Sequence, residues 1–254
     1  MKYYRELQRI LPAGLALVAI AAFAGSQQPA DTANVENAAT QRLEASHHDL
    51  TEDDFPDSAA DRYTRLTELD YRKVADELGV EVAAIKALAK IEAGNAGFVA
   101  PGKPIINFDL TVFRQMLRRS GISLAEARRK APVAFAGVNV RRYGSYGAAQ
   151  HARLRSASAV SRDVAYKSTF WGMFQIGGFN YRQCDCSSVF EFAKLMSQSE
   201  AMQLELFARF IRANNLVRYV RARNWYAFAK AYNGGRVVKG YAARMAREYA
   251  RFKR

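Results

Sequence analysis

Cysteine and histidine are the scarcest reactive residues in this chain, with two Cys and three His among 254 residues. Cys184 and Cys186 stand one residue apart, too close to bridge each other without strain. A disulfide framework is therefore excluded, leaving a tight local ring or a link between two chains in an oxidising compartment. His47 and His48 are neighbours with no thiolate nearby, so they read as solvated polar residues, and neither a zinc site nor any other metal is expected. The chain also lacks paired C-x-x-C motifs, an aromatic RNA-binding octamer and a Gly loop that could cradle phosphates. Nucleic acid is thus not the expected partner and no cofactor is called for. The longest apolar run, Ile10 to Ala24, falls short of the roughly 20 residues of a comfortable membrane span, so no stable span is expected.

That run instead follows Lys2, Arg5 and Arg9 and ends in Ala22-Phe23-Ala24, the basic, apolar and small-x-small succession of an export signal. Residues 1–24 are read as a signal peptide cleaved near Ala24, placing the mature protein in the periplasm or outside the cell; a retained N-terminal anchor is the alternative. Residues 25–64 hold nine acidic and two basic residues, show no apolar period and read as a flexible acidic linker. Subtracting the signal's +2 and the linker's −7 from the total of +14 leaves +19 on residues 65–254. So basic a domain suits a polyanion: nucleic acid, an anionic membrane or a cell-wall polymer. Export argues for the wall.

Within residues 65–254 the pattern is mainly α. Helices are predicted after Thr67, with Asp70 as capping partner and Gly79 as stop, then over Val82 to Glu92, Val112 to Leu117 and Ser123 to Lys130. Further helices follow over Ala148 to Val160, from Ser161 toward Phe170, and over Val189–Met196, Glu200–Ala213, Leu216–Arg221, Trp225–Tyr232 and Tyr241–Phe252. Phe98 to Phe113, with its Pro and Gly residues, is the one place where a short hairpin is predicted. Residues 131–147 read as irregular. Trp171 to Asn180, WGMFQIGGFN, is too apolar for a surface loop and too rich in Gly for a helix, and reads as a buried turn.

Val82, Ile85, Leu88, Ala89 and Ile91 form an apolar stripe at helical spacing, and Glu92 falls on it in the last turn. Burial and the negative end of the helix dipole both disfavour a charged carboxylate there, so its pKa should rise. A carboxyl still protonated near neutral pH can serve as a general acid. The alternative is an interior Glu paired with one of the domain's 33 basic residues.

Three polar motifs flanked by Gly interrupt the helical pattern: Glu92 before AGNAGF, Gln175 within GMFQIGG, and Tyr232-Asn233 within AYNGG. One acid, two amides and a phenol are groups that bind a neutral sugar chain carrying hydroxyl and acetamido substituents. In this order, with LTELDYRKVADELGVEVAAIKALAKIEAGNAGF, PIINFDLTVF, FWGMFQIGGFNYRQC and AYNGGRVVKGY, residues 67–254 resemble the bacterial and phage N-acetylmuramidase family of the lysozyme superfamily. The resemblance implies a lysozyme-like catalytic domain that cleaves the glycan strand of peptidoglycan. Glu92 matches the catalytic glutamate, and Gln175, Phe174, Tyr232, Asn233 and Tyr241 fall along the saccharide cleft. Asp109 would be the second carboxylate, positioning water, although it could equally cap the helix that follows. Gln175 could likewise be a turn amide and Tyr232 a core aromatic. Ala93 stands where the family tends to have Ser, and Asp109 and Thr111 where it tends to have Glu and His. Those departures keep two other readings open: a lytic transglycosylase using Glu92 alone, and a wall-binding protein that has lost turnover. Oligomeric state is not legible.

Overall fold

The structure, a computed structural model, describes residues 65–93, 96–232, 235 and 239–254. The signal and linker segments and Asn233 lie outside the described residues. Helix α1, Glu68–Leu78, opens with a reciprocal box in which the Thr67 amide donates to Asp70 at 2.7 Å while Thr67 accepts from the Asp70 amide, and it ends at left-handed Gly79. Helix α2, Val82–Glu92, buries Ala83, Ala84, Ile85, Ala87, Leu88 and Ala89. Small apolar residues around most of its circumference let neighbours approach on several sides, as in a helix destined for the interior. Those neighbours are α1 and the terminal helix α13, Tyr241–Phe252.

A hairpin follows, β1 (Phe98–Ala100) with β2 (Lys103–Pro104), in the predicted place. A three-stranded antiparallel sheet accompanies it: β3 (Ile106–Phe108), β4 (Thr169–Trp171) and β5 (Ile176–Gly177), with β4 in the centre. The sequence pattern gave no sign of β4 or β5. All their residues are buried, so the polar-apolar alternation that betrays a half-exposed strand is missing.

Between these strands run α3 (Leu110–Arg119), α4 (Leu124–Lys130), α5 (Pro132–Phe135), α6 (Val140–Tyr143), α7 (Tyr146–Ser158) and α8 (Arg162–Lys167). α5 and α6 occupy the stretch read as irregular, and at four residues each they are too short to show a period. α7 covers the free edge of β3 with side chains in place of a strand. Gln150 accepts from the Phe108 amide at 3.2 Å and Arg153 donates to the Phe108 carbonyl at 3.1 Å. A 3₁₀ segment, Gly178–Cys184, leads to α9 (Val189–Met196), α10 (Glu200–Ala213), α11 (Val217–Arg221) and α12 (Trp225–Tyr232). Cys184 and Cys186 are buried free thiols, so no local ring forms. Among the described residues no helix is long and apolar enough to cross a membrane.

Candidate active site

Glu92 is the last residue of α2, and Ala93 leaves the helix in extended geometry. Protein surrounds the carboxyl closely, yet part of the residue's surface stays open. Burial pushes its pKa up from the ordinary 4.5 to about 7, against two opposing influences: a hydrogen bond from Tyr241 and the charge of Arg244. The Tyr241 hydroxyl donates to Glu92 Oε1. Arg244 acts from a distance, and among the described residues no basic side chain forms an ion pair with this carboxyl. Of the two expectations for Glu92, the desolvated carboxyl is the one seen among the described residues.

α13 supplies both modifiers. Gly240, left-handed at φ 76°, turns the chain into the helix, and Tyr241 and Arg244 follow one turn apart on the side that faces α2. Tyr232, the last residue of α12, completes the surroundings. Burial, and next the charge of Glu92, hold the phenols of Tyr232 and Tyr241 well above their ordinary value. Neither loses its proton before the carboxyl does.

The other predicted residues are spread more widely. Tyr232 is 2 % exposed and packs among Phe207, Phe210 and Phe228, with its ring stacked on Phe228 at 5.4 Å. Phe174 is 1 % exposed and stacks on Phe207 at 4.3 Å. Tyr241 is 3 % exposed. Tyr232 and Tyr241 border the carboxyl, whereas Phe174 packs on Phe207; all three offer little surface to a solute. Gln175 is half-buried at φ 50°, a left-handed conformation that a side chain adopts at a cost. Its Nε2 donates to the Gly172 carbonyl at 2.8 Å, the contact of a turn amide, while its Oε1 has no partner among the described residues.

Asp109 caps α3. Its Oδ1 accepts from the amides of Thr111 at 2.7 Å and Val112 at 2.9 Å, leaving Oδ2 uncommitted. It is not among the groups that act on Glu92. No three His, Cys, Asp or Glu side chains cluster as a metal site would need, among the described residues. A cavity of about 480 Å³ lined by Gly79, Glu81, Val220, Arg221 and Tyr249 lies at the opposite end of α2, roughly 16 Å of helix away at ~1.5 Å per residue. It is remote from the perturbed carboxyl.

Sequence reading passed over Glu200, Gln203 and Arg244. Glu200 and Gln203 stand three apart on the same inward face of α10 as Leu204 and Phe207, all buried. Polar residues on an apolar stripe are the signal that could have found them.

A family model described as Muramidase, N-acetylmuramidase, matches residues 81–253. The crystal structure of the Burkholderia AP3 phage endolysin aligns with a TM-score of 0.62 at 34 % sequence identity, covering 76 % of this chain and 72 % of that one. No curated protein matches.

Proposed function

The chain belongs to the N-acetylmuramidase family, and on that premise we propose that it cleaves the glycan strand of peptidoglycan with Glu92 as the general acid. Membership makes it a glycoside hydrolase acting on peptidoglycan. One observation carries it: a desolvated carboxyl at a helix end, titrating at about 7, free of any ion pair among the described residues and still partly open.

Below pH 7 this carboxyl keeps its proton and can pass it to the glycosidic oxygen as the bond breaks toward an oxocarbenium-like state. The carboxylate left behind is met by the Tyr241 hydroxyl and the Arg244 charge, both of which favour the ionised form. The same two groups that oppose the raised pKa before the reaction therefore stabilise the product of proton donation. Gln175, through its uncommitted Oε1, and Asn233 are assigned to the saccharide, with Tyr241 and Tyr232 shaping the carboxyl's surroundings and Phe174, next to Gln175, assigned to the cleft floor.

Asp109, through Oδ2, is assigned to position water. If hydrolysis inverts, it should stand roughly 6.5–9.5 Å from Glu92. A second reading follows from Asp109's engagement with α3: a lytic transglycosylase would need Glu92 alone. Residues 1–24 are assigned as the export signal and residues 25–64 as the tether that lets the basic domain reach the wall.

The test pairs turbidity clearing of purified peptidoglycan by the wild type and by Glu92→Gln with mass spectrometry of the fragments. Loss of clearing in the variant and hydrated reducing ends are expected. Anhydro-muramic ends would replace the hydrolase with the transglycosylase. Equal, poor clearing by both proteins, with both sedimenting with the wall, would leave only a binding protein.

A further inference from the structure

Four segments of the chain meet on one buried amide. Gln203 of α10 is fully buried, at 0 % exposure. Its Oε1 accepts from the Met173 amide at 2.8 Å, and its Nε2 donates to the carbonyls of Gly97 at 3.1 Å and Met196 at 2.9 Å. One turn earlier on the same helix, buried Glu200 accepts from the Gly97 amide at 2.8 Å. Gly97 thus gives both of its backbone groups to side chains of a single helix. The Gly97 carbonyl accepts in addition from Ile105, at 2.8 Å, and the Ile105 carbonyl accepts from Gly172, at 2.9 Å.

Gly97 lies five residues beyond Glu92, and Gly172-Met173 opens the turn that carries Gln175. Both glycines are closed tightly around the amide. A Cβ on Gly97 would come within 2.7 Å of Gln203 Oε1 and 2.8 Å of Glu200 Cγ. On Gly172, at φ 69°, it would come within 2.9 Å of Gln203 Cδ. An apolar side chain of similar volume would fill this space equally well. The amide adds direction, because a side chain with all its bonds made to backbone permits one relative placement of the strands it joins.

We propose that Gln203, supported by Glu200, is a positioning residue for glycan cleavage, fixing Gly97, five residues beyond Glu92, against the turn that carries Gln175. The inference rests on the assignment of Glu92 as the acid. It gives Gln203 a role although it lies over a hundred residues from Glu92 and touches no substrate.

Three variants test it: Gln203→Met, which keeps volume and removes the hydrogen bonds, Glu200→Gln, which keeps an acceptor for Gly97, and Glu200→Leu, which removes it. Steady-state cleavage of soluble glycan oligomers across pH is measured beside thermal unfolding. Gln203→Met, folded at the assay temperature, should lose about 100-fold in kcat, the scale of an ångström-sized misplacement, with KM little changed. The alkaline limb of its kcat profile should move to lower pH, as the loss of the Gly97 attachment lets water reach the Glu92 carboxyl. The charged and titratable groups facing that carboxyl, Tyr241 and Arg244 from α13 and Tyr232 from α12, are unaltered in all three variants. Glu200→Gln should stay close to wild type and Glu200→Leu should follow Gln203→Met.

A folded Gln203→Met with wild-type kcat and an unmoved limb overturns the proposal, even if its Tm falls. Should Gln203→Met not fold, the Glu200 pair decides, and equal activity of the two overturns it. Glu92→Gln run alongside separates this from the parent reading, since activity in that variant would remove the acid itself.

Discussion

Replacing Glu92 by Gln should stabilise the protein at alkaline pH and leave it unchanged in acid. The carboxyl titrates at about 7 in the folded chain against an ordinary 4.5. Because the folded value is the higher one, the folded state binds the proton more tightly, and the stability this confers is fully present below pH 4.5. It is lost as pH rises toward 7 and stays lost above. At ~1.36 kcal/mol per pKa unit, the wild type should lose about 3 kcal/mol across this window through this one side chain. Gln keeps an oxygen that can accept from Tyr241 and carries no charge to desolvate, so the variant escapes the loss.

The assay is denaturant unfolding of both proteins from pH 4 to 9, plotted as the difference between them. That difference should be near zero at pH 4 and rise to about 3 kcal/mol by pH 8, or about 6–12 °C in Tm at the ~2–4 °C per kcal/mol typical of domains this size. A flat difference, or one that grows toward acid, would refute the argument that desolvation sets the state of this carboxyl. The measurement needs no substrate and so stands apart from any assay of cleavage.

Activity should fall with pH along a limb centred near 7, and Tyr241→Phe should move that limb upward, because the lost hydrogen bond favoured the carboxylate; a pH–kcat profile checks the direction. For Asp109, Asn keeps a cap acceptor for α3 while Ala removes it at a cost of about 1 kcal/mol. If Asp109 positions water, Asp109→Asn should be as inactive as Asp109→Ala yet unfold like the wild type, and activity retained in Asp109→Asn would confine the residue to capping.

Helical spacing made α2 legible, together with the inward position of Glu92, because both follow from neighbours within eleven residues along the chain; the full burial that raises its pKa needs α13 as well. The caps at Thr67 and Ser123 were readable for the same reason. Strand β4 was not, since Thr169 to Trp171 are buried on both faces and the partners that define the strand, Ile106–Phe108, lie some sixty residues away. Asp109 showed its capping role through spacing alone. Phe174, Tyr232 and Tyr241 illustrate a different limit. Motif order put Tyr232 and Tyr241 near the acid, and Tyr241 bonds it directly, but order along the chain cannot say which side of a ring faces the core. Glu200 and Gln203 left a visible trace as polar residues on an apolar stripe, yet their partner Gly97 is a hundred residues off and nothing local names it.

The placement of Glu92 also explains why its site depends on both ends of the domain. α2 provides the carboxyl near the start of the folded region, and α13 provides Tyr241 and Arg244 near its end. Neither helix alone would do. An isolated α2 would hold Glu92 in water, ionised at pH 7, and packing by α1 without α13 would leave the carboxyl without the Tyr241 hydroxyl and the Arg244 charge. The cost to stability of keeping a titratable group in poor solvent is therefore incurred where the last helix docks, which is where the two compensating groups arrive. Closure of α13 on α2 is the step that turns an ordinary glutamate into an acid near neutral pH.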